Sequence, residues 1–186
     1  MPERQSHLSP LLSGMQSEKS DPPRGEALAR AAELGQAHIV LDLLATGHDP
    51  AQDDFKPLRL ASIHGHLACV KALIPVSNLG PQKHHPLVIA SSQGHAECAA
   101  LLLDASRSHL DPCILAVRSA IINGREPCVE VFLSLLSSLP AQAAEISQFA
   151  RGIGRPNIAA MIDASIERSV LEAGPGARSV KRAPTL

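Results

Sequence analysis

Three of the four cysteines recur at near-constant spacing: Cys69, Cys98 and Cys128 stand 29 and 30 residues apart. Thiols could ligate a metal or exchange disulfides, and imidazoles gather nearby at His64, His66, His84, His85 and His95. Zinc needs thiolates at about 2.3 Å from one ion, and a disulfide needs Cα atoms within about 7 Å. Residues that recur once per structural unit sit on successive elements, whose axes lie about 8–10 Å apart. The spacing therefore predicts three buried thiols acting as small hydrophobes rather than one shared site. Cys113 takes no role. His64 and His66 form an H-x-H pair, but no carboxylate or thiolate stands at ligand spacing. No metal and no cofactor is expected. G-x-S-x-G, H-E-x-x-H and Walker-type patterns are missing. Gly152-Ile-Gly-Arg-Pro-Asn157 lacks the preceding strand that a dinucleotide loop requires. No enzyme activity is expected.

The elements that carry these residues repeat. Aligned on glycine, the chain gives Gly35, Gly65, Gly94, Gly124 and Gly154, at intervals of 30, 29, 30 and 30. Four residues before each glycine stands an alanine: Ala31, Ala61, Ala90, Ala120 and Ala150. Four residues after it come Ile39, Cys69, Cys98, Cys128 and Ile158; eight after it come Leu43, Leu73, Leu102, Phe132 and Ile162. Each unit reads as two helices. Pro57 and Pro86 fall where a first helix begins, a position whose N–H has no partner anyway. The small residue lets neighbouring first helices approach, and the glycine ends the helix in a left-handed conformation. A second helix follows, with Ile39, Val40, Leu43 and Leu44 at i, i+1, i+4 and i+5 in the first unit. Such a pair cannot cover its own apolar faces, so neighbouring units must stack.

Composition agrees. Of 186 residues, 45% are apolar and only 2% aromatic, with Ala, Leu, Ile and Val carrying the core. The net charge of −1, with both signs interspersed, gives no basic field for nucleic acid or a membrane surface. No apolar run reaches the length of a bilayer span. Met1 to about Arg24 is rich in Ser, Pro, Gln and Glu and is expected to be disordered. Leu8-Ser-Pro-Leu-Leu12 is too short for a secretory signal. A repeat domain is expected over residues 25–170, followed by a flexible basic tail over 171–186.

The units resemble ankyrin repeats. Lys56-Pro-Leu-Arg-Leu-Ala-Ser62 and His85-Pro-Leu-Val-Ile-Ala-Ser91 match the proline, leucine and alanine of the family's T-P-L-H-x-A-A. Gly65-His66 and Gly94-His95 match its G-H, and Gly47-His-Asp-Pro50 is similar to its G-A-D-P/V turn leading to the next hairpin. The Thr and His of T-P-L-H are absent from every unit, so helix capping must come from elsewhere. Units four and five match least, and Ser134–Ala144 carries no hairpin signal. The resemblance implies an all-α, ankyrin-type helix-turn-helix solenoid of about five repeats, with short or degenerate β-hairpins and capping behaviour in the first and last units. It implies that His66 and His95 bridge neighbouring loops.

It also implies a non-catalytic, cytoplasmic, monomeric module that binds another protein through its concave face and hairpin tips. Carried over, that surface comprises Glu33, Leu34, Phe55, Ile63, His64, His84, Ser92, Gln93, Ile122 and Asn123. Lys83, His85, Gln52 and Asp53 lie near its edge. Leu34, Ile63, Ile122 and Ile153 would make an apolar stripe, or else pack against adjacent units. As an alternative, a Ser-rich N-terminus without a signal peptide, ahead of such an array, resembles bacterial effectors that enter host cells without a cleavable signal and bind a host protein.

Overall fold

The computed structural model describes residues 24–77, 85–106 and 109–172; the side chains of Arg24, Gly25, Gln52, Asp53 and Glu172 are not described. The expected disordered segment and tail therefore lie almost wholly outside the described residues. Helix begins at Arg24 and runs to Glu172, two residues past the expected boundary at 170.

Ten α-helices pair into five units among the described residues, and no strand occurs there. The first helices are α1 (Arg24–Glu33), α3 (Gln52–His64), α5 (Pro86–Gln93), α7 (Leu110–Ile122) and α9 (Pro140–Gly152). The second helices are α2 (Ala37–Ala45), α4 (Leu67–Leu73), α6 (Ala96–Ala105), α8 (Glu126–Ser137) and α10 (Pro156–Glu172). α1, α3, α5, α7 and α9 pack side by side as one row, and α2, α4, α6, α8 and α10 form a second row behind it. The core lies between the rows. Leu28, Leu58, Leu87 and Val117 fill it from the front, and Leu73, Leu102, Phe132 and Ile162 from the back. The alanine column is buried in every unit, which is what lets the first helices approach.

Each of the five glycines has positive φ, between 64° and 92°. In every unit the N–H of the residue after the glycine returns to the alanine carbonyl, at 2.8–3.0 Å. This is the 6→1 bond of a Schellman close, and it satisfies a carbonyl that the helix end would otherwise leave open.

Unit boundaries depart from the expected pattern. Pro86 opens α5, as the spacing predicts. Pro57 instead lies inside α3, whose early residues Asp54 and Phe55 have φ of +57° and +56°. Regular right-handed helix resumes only after them. Relative to their glycines, α7 and α9 start six residues earlier than α5 does, with Pro112 and Pro140 in their first turns. Gly47 (φ +84°) closes α2 through Gly47 N–H to Leu44 and His48 N–H to Leu43. Beyond it the Asp49 carboxylate accepts the Ala51 N–H at 2.9 Å, an Asx turn that steers the chain into α3.

Candidate partner-binding surface

The glycine turns are where adjacent units meet. His66 Nε2–H donates to the Glu33 carbonyl and His95 Nε2–H to the Ile63 carbonyl, each at 2.9 Å. Both acceptors stand two residues before a glycine, at a helix C-terminus that lacks intrahelical donors. The rings lie flat over the preceding glycines: a Cβ at Gly35 would sit 2.7 Å from the His66 Nδ1, and one at Gly65 would meet the His95 ring. These glycines are needed twice, for positive φ and for the ring above them. In units four and five arginine replaces histidine. Arg125 Nε–H donates to the Ser92 carbonyl at 3.3 Å, and the Arg155 guanidinium covers Gly124. A cation beside a helix C-terminus is favourable against the helix dipole.

The remaining histidines separate. His85 was expected on the contact edge, but it is buried, and its Nδ1 accepts the Leu87 N–H at 3.2 Å. It occupies the slot of the family threonine and caps α5 in its place. His48 closes α2, its Nδ1–H donating to Leu43 at 3.0 Å. His64 is exposed and stacks on His66, ring centroids 5.8 Å apart. His84 and Lys83 lie outside the described residues.

Cys69, Cys98 and Cys128 are buried in successive second helices. Burial pushes all three thiols up from the ordinary value; Glu97 adds to this at Cys98, while Arg125 opposes it at Cys128. They are neutral hydrophobes at pH 7. Cys113 is buried too, and its S–H donates to the His109 carbonyl at 3.2 Å, holding the start of α7.

The face of the first-helix row turned away from the core is open. Leu34 is 57% exposed, Ile122 57%, Ile153 41% and Ile63 36%, so none is consumed by packing against the next unit. Glu33, Gln93 and Asn123 stand on the same face; Asn123 Nδ2 also bonds back to the Ser119 carbonyl at 2.8 Å. Two of the expected contact residues differ. Phe55 is half-buried and packs against the core, at a positive-φ position in the first turn of α3. Ser92 is half-buried, its hydroxyl spent on Ile89 and its carbonyl on Arg125.

Sequence reading missed two residues. Leu115 is 59% exposed and stands with Arg118 and Ile122 at i, i+3 and i+7 on α7. The Arg118 guanidinium lies 4.4 Å from the Phe149 ring centroid, at the rim of an open hollow of about 180 Å³ lined by Ile114, Gln142, Glu145 and Ile146. The i, i+3, i+7 spacing was the available signal, hidden because aligning on glycine placed Leu115 outside the compared columns.

The last unit is built differently where a further unit would stack. Three columns that are otherwise apolar or small turn polar there: Ser147 follows Leu28, Leu58, Leu87 and Val117; Arg151 follows Ala32, Ser62, Ser91 and Ile121; Asp163 follows Leu44, Ile74, Leu103 and Leu133. The three meet. The Ser147 hydroxyl donates to Asp163 Oδ1 at 2.7 Å, and Arg151 pairs with Asp163 Oδ2. The three polar side chains partner one another, as expected of a capping unit.

The family model for ankyrin repeats, built of three copies, matches residues 28–114. No curated protein matches the chain at a significant level. Ankyrin repeats are generally protein–protein interaction modules and typically non-catalytic. No helix among the described residues is long and apolar enough to cross a membrane. Residues 28–114 belong to the ankyrin-repeat family, and the stack they open is an all-α ankyrin-repeat solenoid.

Proposed function

We propose that this protein binds another protein across the open face of its first-helix row, without chemistry of its own. The observation that carries the reading is the set of exposed apolar side chains on that face: Leu34, Ile63, Leu115, Ile122 and Ile153. They come from the turn after α1, from α3 and α7, and from the turn after α9; these first helices lie side by side, so a single partner can touch several units at once. Large exposed apolar side chains in a row are what an interface buries, and a few of them carry most of its energy. Arg118, its guanidinium over the Phe149 ring, supplies a cation beside them, suited to a partner carboxylate.

The test is affinity capture with mass spectrometry, comparing the natural chain with Ile63→Asp/Ile122→Asp and with a control, Glu130→Lys, on the exposed surface of α8. Truncating a central anchor costs about 2 kcal/mol or more, roughly thirtyfold in affinity. The double variant is expected to lose the captured protein while keeping its helical circular dichroism, and the control to retain it. Equal recovery by both variants would move the binding site elsewhere.

A further inference from the structure

The first-helix row loosens at its last step. α7 and α9 pack far less closely than any earlier neighbours in the row, although α8 and α10 behind them stay packed. One column accounts for this. Ala32, Ser62 and Ser91 are buried on the side of α1, α3 and α5 that faces the following unit. In α7 the same place is taken by Ile121, also fully buried. The distance between packed helices follows the side chains at their contact, so the larger residue holds α9 off. The hollow beside Arg118 is the furrow that this opens.

Its floor is apolar, made by half-buried Ile114 and buried Ile146. Its rim carries opposite charges, Arg118 from α7 and Glu145 from α9, both exposed. Among the described residues neither has an ion pair, with the other or elsewhere. Arg118 meets the Phe149 ring, so its N–H donors stay available to an incoming carboxylate. At about 180 Å³ the furrow is smaller than the ~300–1,000 Å³ of small-molecule sites and suits one aliphatic side chain.

Resting on the reading that the open face binds a protein, we propose that the α7–α9 furrow takes one linear segment of that partner. The segment seats an apolar side chain on Ile114 and Ile146, with an acidic residue at Arg118 and a basic one at Glu145. Both signs are required, because a segment of one sign would be repelled by one wall.

Random linear peptides displayed on phage and selected on the full natural chain test this. The enriched pool should carry an acidic and a basic residue around an apolar one. By fluorescence polarisation, the best peptide should bind Arg118→Glu at least about thirtyfold more weakly. Arg118→Gln should weaken it in the same direction, and serves if the charge reversal disturbs the fold. Ile63→Asp, on α3 with α5 between it and α7, should leave the affinity within about twofold. A pool without that pattern, no enrichment at all, or full affinity in both Arg118 variants would overturn the inference. Loss in Ile63→Asp but not in the Arg118 variants would overturn it and leave the broader reading of the open face standing. Affinity unchanged in all three would remove both. Peptide binding that weakens as protein concentration rises would put a second copy in the furrow, and overturns the inference as well.

Discussion

Gly65 and Gly154 occupy the same column, have similar backbone angles and close the same kind of helix, yet they stand in different surroundings. Gly65 lies beneath the His95 ring, which also bonds the Ile63 carbonyl; nothing lies within 4 Å of where a Cβ on Gly154 would be. The same residue type answers two demands inside the stack and one at its end. Around Gly154 the neighbouring columns have changed as well, to Ser147, Arg151 and Asp163. A repeat position is thus defined by two things: its place within the unit, and whether another unit leans on it.

The largest expected effect separates the two glycines. Gly65→Ala must adopt positive φ and displace the His95 ring, at a combined cost of about 2–4 kcal/mol. Gly154→Ala meets only the backbone penalty, about 1 kcal/mol. Urea unfolding followed by circular dichroism measures both, and equal losses would remove the distinction drawn between interior and terminal turns.

Asp163→Ala comes next. It takes from Ser147 its carboxylate partner and from Arg151 its counter-charge, but Arg151 is more than half exposed, so the loss is held to about 1 kcal/mol. Deuterium exchange should place that loss in α9 and α10 and leave α1 to α6 untouched. A loss spread evenly over the stack would mean that the polar cluster braces the whole array rather than its end.

The smallest effect concerns the interior thiols. Burial pushes the Cys98 and Cys128 thiols above their ordinary value. A folded-state value above the unfolded one gives stability that is complete below the unfolded value and is lost as pH rises through the folded one. Urea midpoints should therefore stay level, as far as these groups are concerned, up to about pH 9 and fall above it. Cys98→Ala/Cys128→Ala should flatten that fall. An unchanged alkaline slope would assign it to other groups.

Much of this was legible in the sequence, for reasons tied to particular residues. The Gly and Ala columns announce the turns and the close packing because few residue types tolerate either site. The register alone was enough to bury Cys69, Cys98 and Cys128. What stayed hidden depends on contacts between residues far apart in the chain. Ser147 and Asp163 look like ordinary surface residues until α9 and α10 bring them together. His85 reads as an edge residue from its place just ahead of the helix, whereas its Nδ1 fills the threonine's capping role. The early start of α7 and α9 was missed because Pro112 and Pro140 lie a turn or more ahead of the proline column. On the open face, Leu34, Ile63 and Ile122 stand in columns that the glycine register marks, with exposure or packing left open; Leu115 and Arg118, whose ring partner Phe149 belongs to the next unit, stand outside them.

The bond from each turn back to the one before it has a further consequence, for how such a chain can lengthen or shorten. His66 leans on Gly35 and Glu33 as His95 leans on Gly65 and Ile63. Cut between a glycine and the residue after it, and every fragment has matching edges. Excising His66 through Gly94 joins Gly65 to His95, and the newly joined imidazole meets a bare glycine and a waiting carbonyl at Glu33, as His66 did. The seam for gain or loss of a unit therefore lies in the middle of a helix pair, inside the tight turn, and not in the loops where units seem to begin.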